Sequence, residues 1–226
     1  MSHDDFAFEP IRGLPALLPK GENLLWQGSP DWKSLAIHAY HARKVAVYFA
    51  VLVLVRVGFG IHDGHAASAV ALSCLWLVTL GLVATGVLTL LAYLCSRMTV
   101  YSITSQRLVL RHGIAVPMTI NIPFSLVESA GLKQFANGTG DISINVTKEQ
   151  RVGYLVTWPH VRPGYITNPQ PSFRALRDAQ HASDVLAGAL AAQAGVAPVS
   201  VEQMAPRPES RASVGGNIDP RTVAAF

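Results

Sequence analysis

The chain has 226 residues, half of them hydrophobic and only 14% charged, with a net charge of +4 and a mean hydropathy of +0.31. Its two cysteines, Cys74 and Cys95, lie in one apolar run; on a helix rising ~1.5 Å per residue they stand on the order of 30 Å apart, which excludes a disulfide within the chain. Once the apolar runs and a weak tail are set aside, about a hundred residues remain, enough for one small soluble domain.

Residues 1–40 read as an N-terminal arm at the cytoplasmic face or membrane interface. Ser29-Pro30-Asp31 predicts a helix start, with Ser29 capping and Pro30 in the first turn. Trp32, Leu35, Ala36, Ala39 and Tyr40 then share one face, as in an aromatic-anchored helix lying at an interface. The alternative is that this segment continues into the first membrane helix. A cleaved signal peptide is not expected, because about forty mixed residues precede the first apolar run.

Residues 41–96 read as a transmembrane helical hairpin. Two apolar blocks, Val45 to Gly60 and Ala66 to Cys95, are separated only by Ile61-His62-Asp63-Gly64-His65. The second runs thirty residues without Asp, Glu, Lys, Arg or His, beyond the ~20 that a helix needs to cross the hydrocarbon. In lipid such a segment must satisfy its backbone internally, so helix is the expected structure. Arg56 interrupts the first block; an arginine costs roughly 2.5–3.5 kcal/mol at the bilayer centre and less near a helix end, where it snorkels. The sharper alternative pairs Arg56 with an acidic group on a partner inside the membrane. Arg43 and Lys44 precede the hairpin, Arg97 follows it, and the connecting loop has neither Lys nor Arg. Both termini are therefore expected in the cytoplasm. Gly81, Thr85 and Thr89 recur every four residues, with Ala69 and Ser73 earlier, a spacing that lets helices approach closely. It serves packing within the hairpin, homodimerisation or docking to a client helix.

From residue 97 to residue 194 the period changes. Met98 to Ile103, Arg107 to His112 and Ala115 to Ile122 predict a strand meander, with Val127 to Leu132, Asp141 to Thr147 and Gly153 to Trp158 as further strands. Asn137-Gly138-Thr139-Gly140-Asp141 predicts a tight turn between two of them. Pro159, Pro163, Pro169 and Pro171 bar regular sheet. Phe173, Leu176, Ala179, Leu186 and Leu190 predict a closing helix from Ser172. Residues 195–226 are rich in Pro, Ala, Ser and Gly and are expected to be disordered.

Residues 96–180 carry nine Lys and Arg against four Asp and Glu, and this excess of five accounts for the net charge of the chain. A basic domain tethered under an anionic leaflet is drawn to the headgroups. Nucleic-acid binding explains the charge less well, since no basic and aromatic repeat forms a groove reader.

No catalytic pair stands out, so an enzyme is not expected. His62 and His65 lack a third ligand for zinc. Gly138-Thr139-Gly140 is too short for a phosphate loop, with no helix plainly following. His38 and His41 share a helical face at the cytoplasmic interface, where an imidazole can ligate a pigment magnesium and hydration is the plainer fate. Asp141 reads as a cap for local backbone N–H groups. No metal and no cofactor is expected.

Tyr101-Ser102-Ile103-Thr104-Ser105-Gln106-Arg107-Leu108-Val109, continued by Arg111-His112-Gly113, resembles the opening hairpin of bacterial pleckstrin-homology-like (PH-like) domains. Gly138-Thr139-Gly140-Asp141-Ile142 is similar to the turn of that family, and Gly21-Glu22-Asn23-Leu24-Leu25-Trp26-Gln27-Gly28-Ser29-Pro30 to its lead-in. The resemblance spans most of residues 20–190. Within this group, Phe8-Glu9-Pro10-Ile11-Arg12-Gly13-Leu14-Pro15, His41 to Phe49 and Arg111 to Phe124 resemble the PuhB-type photosynthetic complex assembly proteins of purple bacteria. That resemblance implies a membrane α + β protein: a two-helix hairpin followed by a PH-like β-sheet or barrel closed by a C-terminal helix. It implies a non-catalytic, multi-pass protein of the bacterial inner, intracytoplasmic membrane that helps assemble the reaction centre and core light-harvesting complex. The expected partners are subunits of those complexes, membrane lipids and a second copy of the chain. The candidate contact residues are Arg56, Gly81, Thr85, Arg107, Arg111 and Asp141. No ligand-binding residue of the family transfers. A lipid-sensing PH-like protein and a pigment-handling protein using His38 or His41 are the rival expectations.

Overall fold

A computed structural model of the chain describes residues 11–114, 116–147 and 153–195. The tail 196–226, expected to be disordered, and Phe8-Glu9-Pro10 of the assembly-protein resemblance lie outside these residues. In chain order the elements are β1 (Leu24–Gly28), α1 (Trp32–His38), α2 (Ala42–His62), α3 (Ala67–Met98), β2 (Val100–Thr104), β3 (Arg107–His112), β4 (Met118–Pro123), β5 (Val127–Gln134), β6 (Gly140–Val146), α4 (Tyr154–Thr157), β7 (Ser172–Leu176) and α5 (Ala179–Ala194).

Helices α2 and α3 are both long and apolar enough to cross a membrane. They run antiparallel around an Asp63-Gly64 turn, with Gly64 at φ +67°. Phe49 meets Gly81, Arg56 meets Ser73 and Gly60 meets Val70. This register sets the start of α2 beside Leu88, which packs on the cluster containing Ala42. The last ten residues of α3 therefore overhang its partner. At ~1.5 Å per residue α2 spans about 32 Å, close to the hydrocarbon thickness, and the overhang adds about 15 Å.

The overhang is covered by α1. Leu35, Ala36 and Tyr40 are buried with Ala92, Cys95 and Ala175, and Trp32 meets Tyr93 edge to face at 6.1 Å. The apolar face expected at an interface is thus buried against protein. Asp31, rather than Ser29, caps α1, accepting from the Ser34 N–H at 3.0 Å. A break at His41, with φ +56°, separates α1 from α2.

The strands form two open antiparallel sheets rather than a closed barrel: β1-β2-β3-β4 and β5-β6-β7. Tyr101, Ile103, Leu108 and Leu110 of the first face Ile142, Ile144 and Phe173 of the second, with Leu186 of α5 completing the core. Burying a large apolar side chain contributes about 1.5–3 kcal/mol, and this interdigitated layer holds the domain together. Gly140 permits the approach of α5, since a Cβ there would lie 2.7 Å from the Ala179 Cβ.

Three segments differ from their sequence-based expectation. Leu24–Gly28 is a strand, pairing across the hairpin with β2, so the arm supplies an edge of the domain. Gly153 to Trp158, expected as a strand, forms the single helical turn α4. Ser172–Leu176, expected to open the last helix, is the fully buried strand β7. The helix begins at Ala179 after Asp178, whose carboxylate accepts from the Trp26 indole N–H at 3.0 Å.

Candidate functional site

The most unusual chemistry lies where α3 enters the domain. Strand β7 carries Arg174, buried with its partner Asp141 on β6. A buried guanidinium is tolerated only when its donors are met. Here Nε donates to Asp141 Oδ2 at 3.0 Å, Nη1 to the carbonyls of Pro159 and Val161 at 3.3 and 3.4 Å, and Nη2 to the His38 carbonyl at 3.1 Å. One side chain thus ties β6, the segment after α4 and the end of α1.

The other Asp141 oxygen accepts from the Ala175 N–H at 2.7 Å. Ala175 has φ +55°, a left-handed conformation costing about 1–2 kcal/mol for a residue with a Cβ. It is held on both sides, since its carbonyl accepts from the Asp31 N–H at 2.7 Å. Asp141 therefore caps backbone, though on the neighbouring strand rather than in its own turn.

A hydrogen-bonded chain continues toward α3. The Arg174 N–H donates to the Tyr101 hydroxyl at 3.1 Å, and that hydroxyl lies 2.7 Å from His160 Nδ1. The same hydroxyl lies 3.5 Å from the Arg174 carbonyl, a further acceptor for its proton. Nε2 faces Thr99 Oγ1 at 3.1 Å and Cys95 Sγ at 3.3 Å. Burial holds the His160 pKa well below its ordinary value, and the nearby His112 and Arg174 push the same way. Burial likewise raises the Tyr101 phenol well above its usual range. Neither group is a poised acid or base at neutral pH. Among the described residues, no group of three or more His, Cys, Asp or Glu is placed to hold a metal.

This arrangement couples mechanically. The last turn of α3, α1, β2, β6, β7 and the segment at His160 are fastened through one buried polar network, which joins the hairpin to the domain. Ser34 Oγ of α1 and Thr139 Oγ1 of the β5–β6 turn add a contact of 2.6 Å.

The candidate contact residues are scattered around this junction. Arg56 Nη2 donates to Ser73 Oγ at 3.2 Å within the hairpin. Gly81 is buried against Phe49, and Thr85 is half-buried one turn on, its carbonyl accepting from Thr89. Arg107 forms a two-pronged pair with buried Glu22, both bonds 2.9 Å. Arg111, half-buried, pairs in register with Val100 and Thr119. Of the six, only Asp141 belongs to the buried network. His38 stacks on Phe135 with 3.8 Å between centroids, and burial lowers its pKa. His41 forms the left-handed break before α2.

The local charge count also takes another meaning. Arg107 and Arg177 of the basic segment pair with Glu22 and Asp31 of the arm, and Arg174 pairs internally. Sequence reasoning passed over Arg174 and His160. The signal was a lone cation inside the apolar run Ser-Phe-Arg-Ala-Leu, matched by a lone acid in Gly-Asp-Ile-Ser-Ile.

Comparison with known proteins adds two findings. Residues 45–189 match the family model described as bacterial PH domain. The chain is 36% identical over 194 residues to an uncharacterized 23.7 kDa protein in the puhA 5′ region of Rhodobacter capsulatus, covering 85% of this chain and 91% of that protein. No solved structure matches.

Proposed function

The chain belongs to the bacterial PH domain family, and from that premise we propose that it is a non-catalytic membrane protein that helps assemble the photosynthetic reaction centre and core light-harvesting complex. It acts by two-point capture. The exposed flanks of α2 and α3 contact helices of newly inserted subunits, while the domain engages their segments on its own side of the membrane.

The observation that carries this reading is the buried junction. Because Arg174 and His160 lock the domain to the foot of the hairpin, two weak contacts are presented at a fixed separation. The second then forms at a high effective concentration. Fixed geometry serves a scaffold, whereas the neutral, enclosed His160 and Tyr101 offer no substrate a reactive group. The photosynthetic part rests on the relative from the puhA region and on the assembly-protein resemblance. Residence in the inner membrane with both termini cytoplasmic is part of this reading, supported by the two apolar helices, by the cations Arg43, Lys44 and Arg97 at one end of the hairpin, and by β1 and β2 pairing across it.

The test is deletion of the gene in its host, read by near-infrared absorption of isolated membranes. Selective loss of the reaction-centre and core-antenna bands, restored by the intact gene, is the expected result. An unchanged spectrum refutes the assembly reading and leaves a lipid-facing PH-like protein.

A further inference from the structure

The segment after β6 returns to the hairpin foot and exposes apolar side chains there. Leu155 is 87% and Ile166 73% exposed, with Val156 and Trp158 about half exposed. Single exposed apolar residues are ordinary on a protein surface, whereas a cluster calls for an occupant. The cluster is also held in place. His160, two residues after Trp158, bonds to Thr99 and lies against Cys95 of the last turn of α3, and the carbonyls on either side of it, Pro159 and Val161, receive Arg174.

Its level along the hairpin axis is defined. The Trp158 ring packs edge to face on Tyr40, with 5.1 Å between centroids. Tyr40 is two residues before Ala42, where α2 begins, and the start of α2 lies beside Leu88 rather than at the end of α3. Since α2 matches the hydrocarbon in length, its first residue marks the boundary between acyl chains and headgroups. Trp158 therefore lies between the start of α2 and the end of α3, where Tyr40 packs with Ala92 and Cys95, on the headgroup side of the hydrocarbon boundary. Exposed Arg43 and Lys44 follow Tyr40 at the same level, and Arg162 lies over the Tyr165 ring at 4.2 Å. Cations around a tryptophan and aliphatic tips match an anionic leaflet, whose surface attracts the charges while its interface accepts the rings.

We infer that the 154–166 segment is a membrane-dipping loop: Leu155, Val156, Trp158 and Ile166 insert into the leaflet beside α2 and hold the domain against it. The occupant is lipid, because helices seated in a bilayer bring these side chains to its surface whether or not another protein is present. The loop gives the proposed scaffold a third attachment, and the inference rests on the hairpin crossing the membrane.

The experiment places a benzophenone amino acid singly at Leu155, Ile166, Val83 and Gln106 of the full chain. Each protein is reconstituted in vesicles of phosphatidylethanolamine and phosphatidylglycerol, irradiated, and its adducts identified by mass spectrometry. Val83 is exposed in the middle of α3, and Gln106 is exposed on the β2–β3 turn at the far end of the sheet. Lipid adducts at Leu155 and Ile166 several-fold above those at Gln106 are expected. Adducts at Val83 with only the Gln106 background at Leu155 and Ile166 overturn the loop while leaving the membrane hairpin standing. Absence of lipid adducts at Val83 overturns the hairpin and the loop together. Adducts from Leu155 to a second copy of the chain, in place of lipid, overturn the inference in favour of a dimer interface.

Discussion

His160 Nδ1 and the Tyr101 hydroxyl lie 2.7 Å apart, with both side chains fully buried. Burial keeps the folded imidazole neutral well below its ordinary pKa, helped by His112 and Arg174. The unfolded chain takes up this proton as pH falls through about 6.5, and the folded chain does not. In that window the unfolded state binds more protons, so stability rises with pH and is lost as pH falls from about 6.5 toward the lower folded value. Thermal melts of the detergent-solubilised protein between about pH 7.5 and pH 5 are expected to show a falling Tm on acidification. His160→Gln is expected to lower Tm at the upper end and to flatten the slope. The slope does not vanish, because burial also lowers His112 and His38. An undiminished slope in the variant would assign the effect to those two residues instead.

Glu22 and Arg107 form an unequal pair: the glutamate side chain is 2% exposed and the arginine 31%. Removing the arginine strands a buried carboxylate, whereas neutralising the glutamate leaves a cation that reaches water. Arg107→Ala is expected to cost roughly 2–3 kcal/mol and Glu22→Gln about 1. Chemical denaturation of both variants tests the order; equal costs would contradict it.

The hairpin contact at Gly81 is equally specific. A Cβ there would lie 2.8 Å from the Phe49 Cβ. Gly81→Leu is expected to destabilise by about 1–3 kcal/mol, the usual range for overpacking, and Phe49→Ala in the same chain to restore much of the loss. A Gly81→Leu melt matching the parent would show that the helices meet elsewhere.

For Asp141 and Arg174, whose side chains are 9% and 7% exposed, single removal is expected to cost about 3–5 kcal/mol. Asp141→Ala also releases the Ala175 N–H from its acceptor. The double variant Asp141→Leu with Arg174→Met should be less destabilised than the sum of the single variants. Additive losses in a double-mutant cycle would argue against coupling.

The hairpin and strands β3, β5 and β6 were legible because each carries its own local pattern. For β3 the alternating Arg107 to His112 run matches the observed strand end to end. Strand β7 was obscured because all five residues are buried, which removes the alternation that marks a half-buried strand, and Phe173 and Leu176 fall three apart as in a helix. Strand β1 was hidden by distance, since Trp26 finds Ile103 only after two long helices. Arg174, the hub of the network, gave only a weak signal, because its partners come from β6, α1 and the 159–161 segment. No local window contains them.

The pairing of β1 with β2 also orders events during synthesis. Gly28 waits for Tyr101, and about seventy residues separate them, on the order of 4–14 s at ribosomal speed. Throughout that interval the N-terminal strand is an unpaired edge and Glu22 a charge without its arginine. The domain closes only after both hydrophobic helices have left the ribosome. Until both helices have been made, a nascent chain therefore carries an open strand edge and an unmatched carboxylate together.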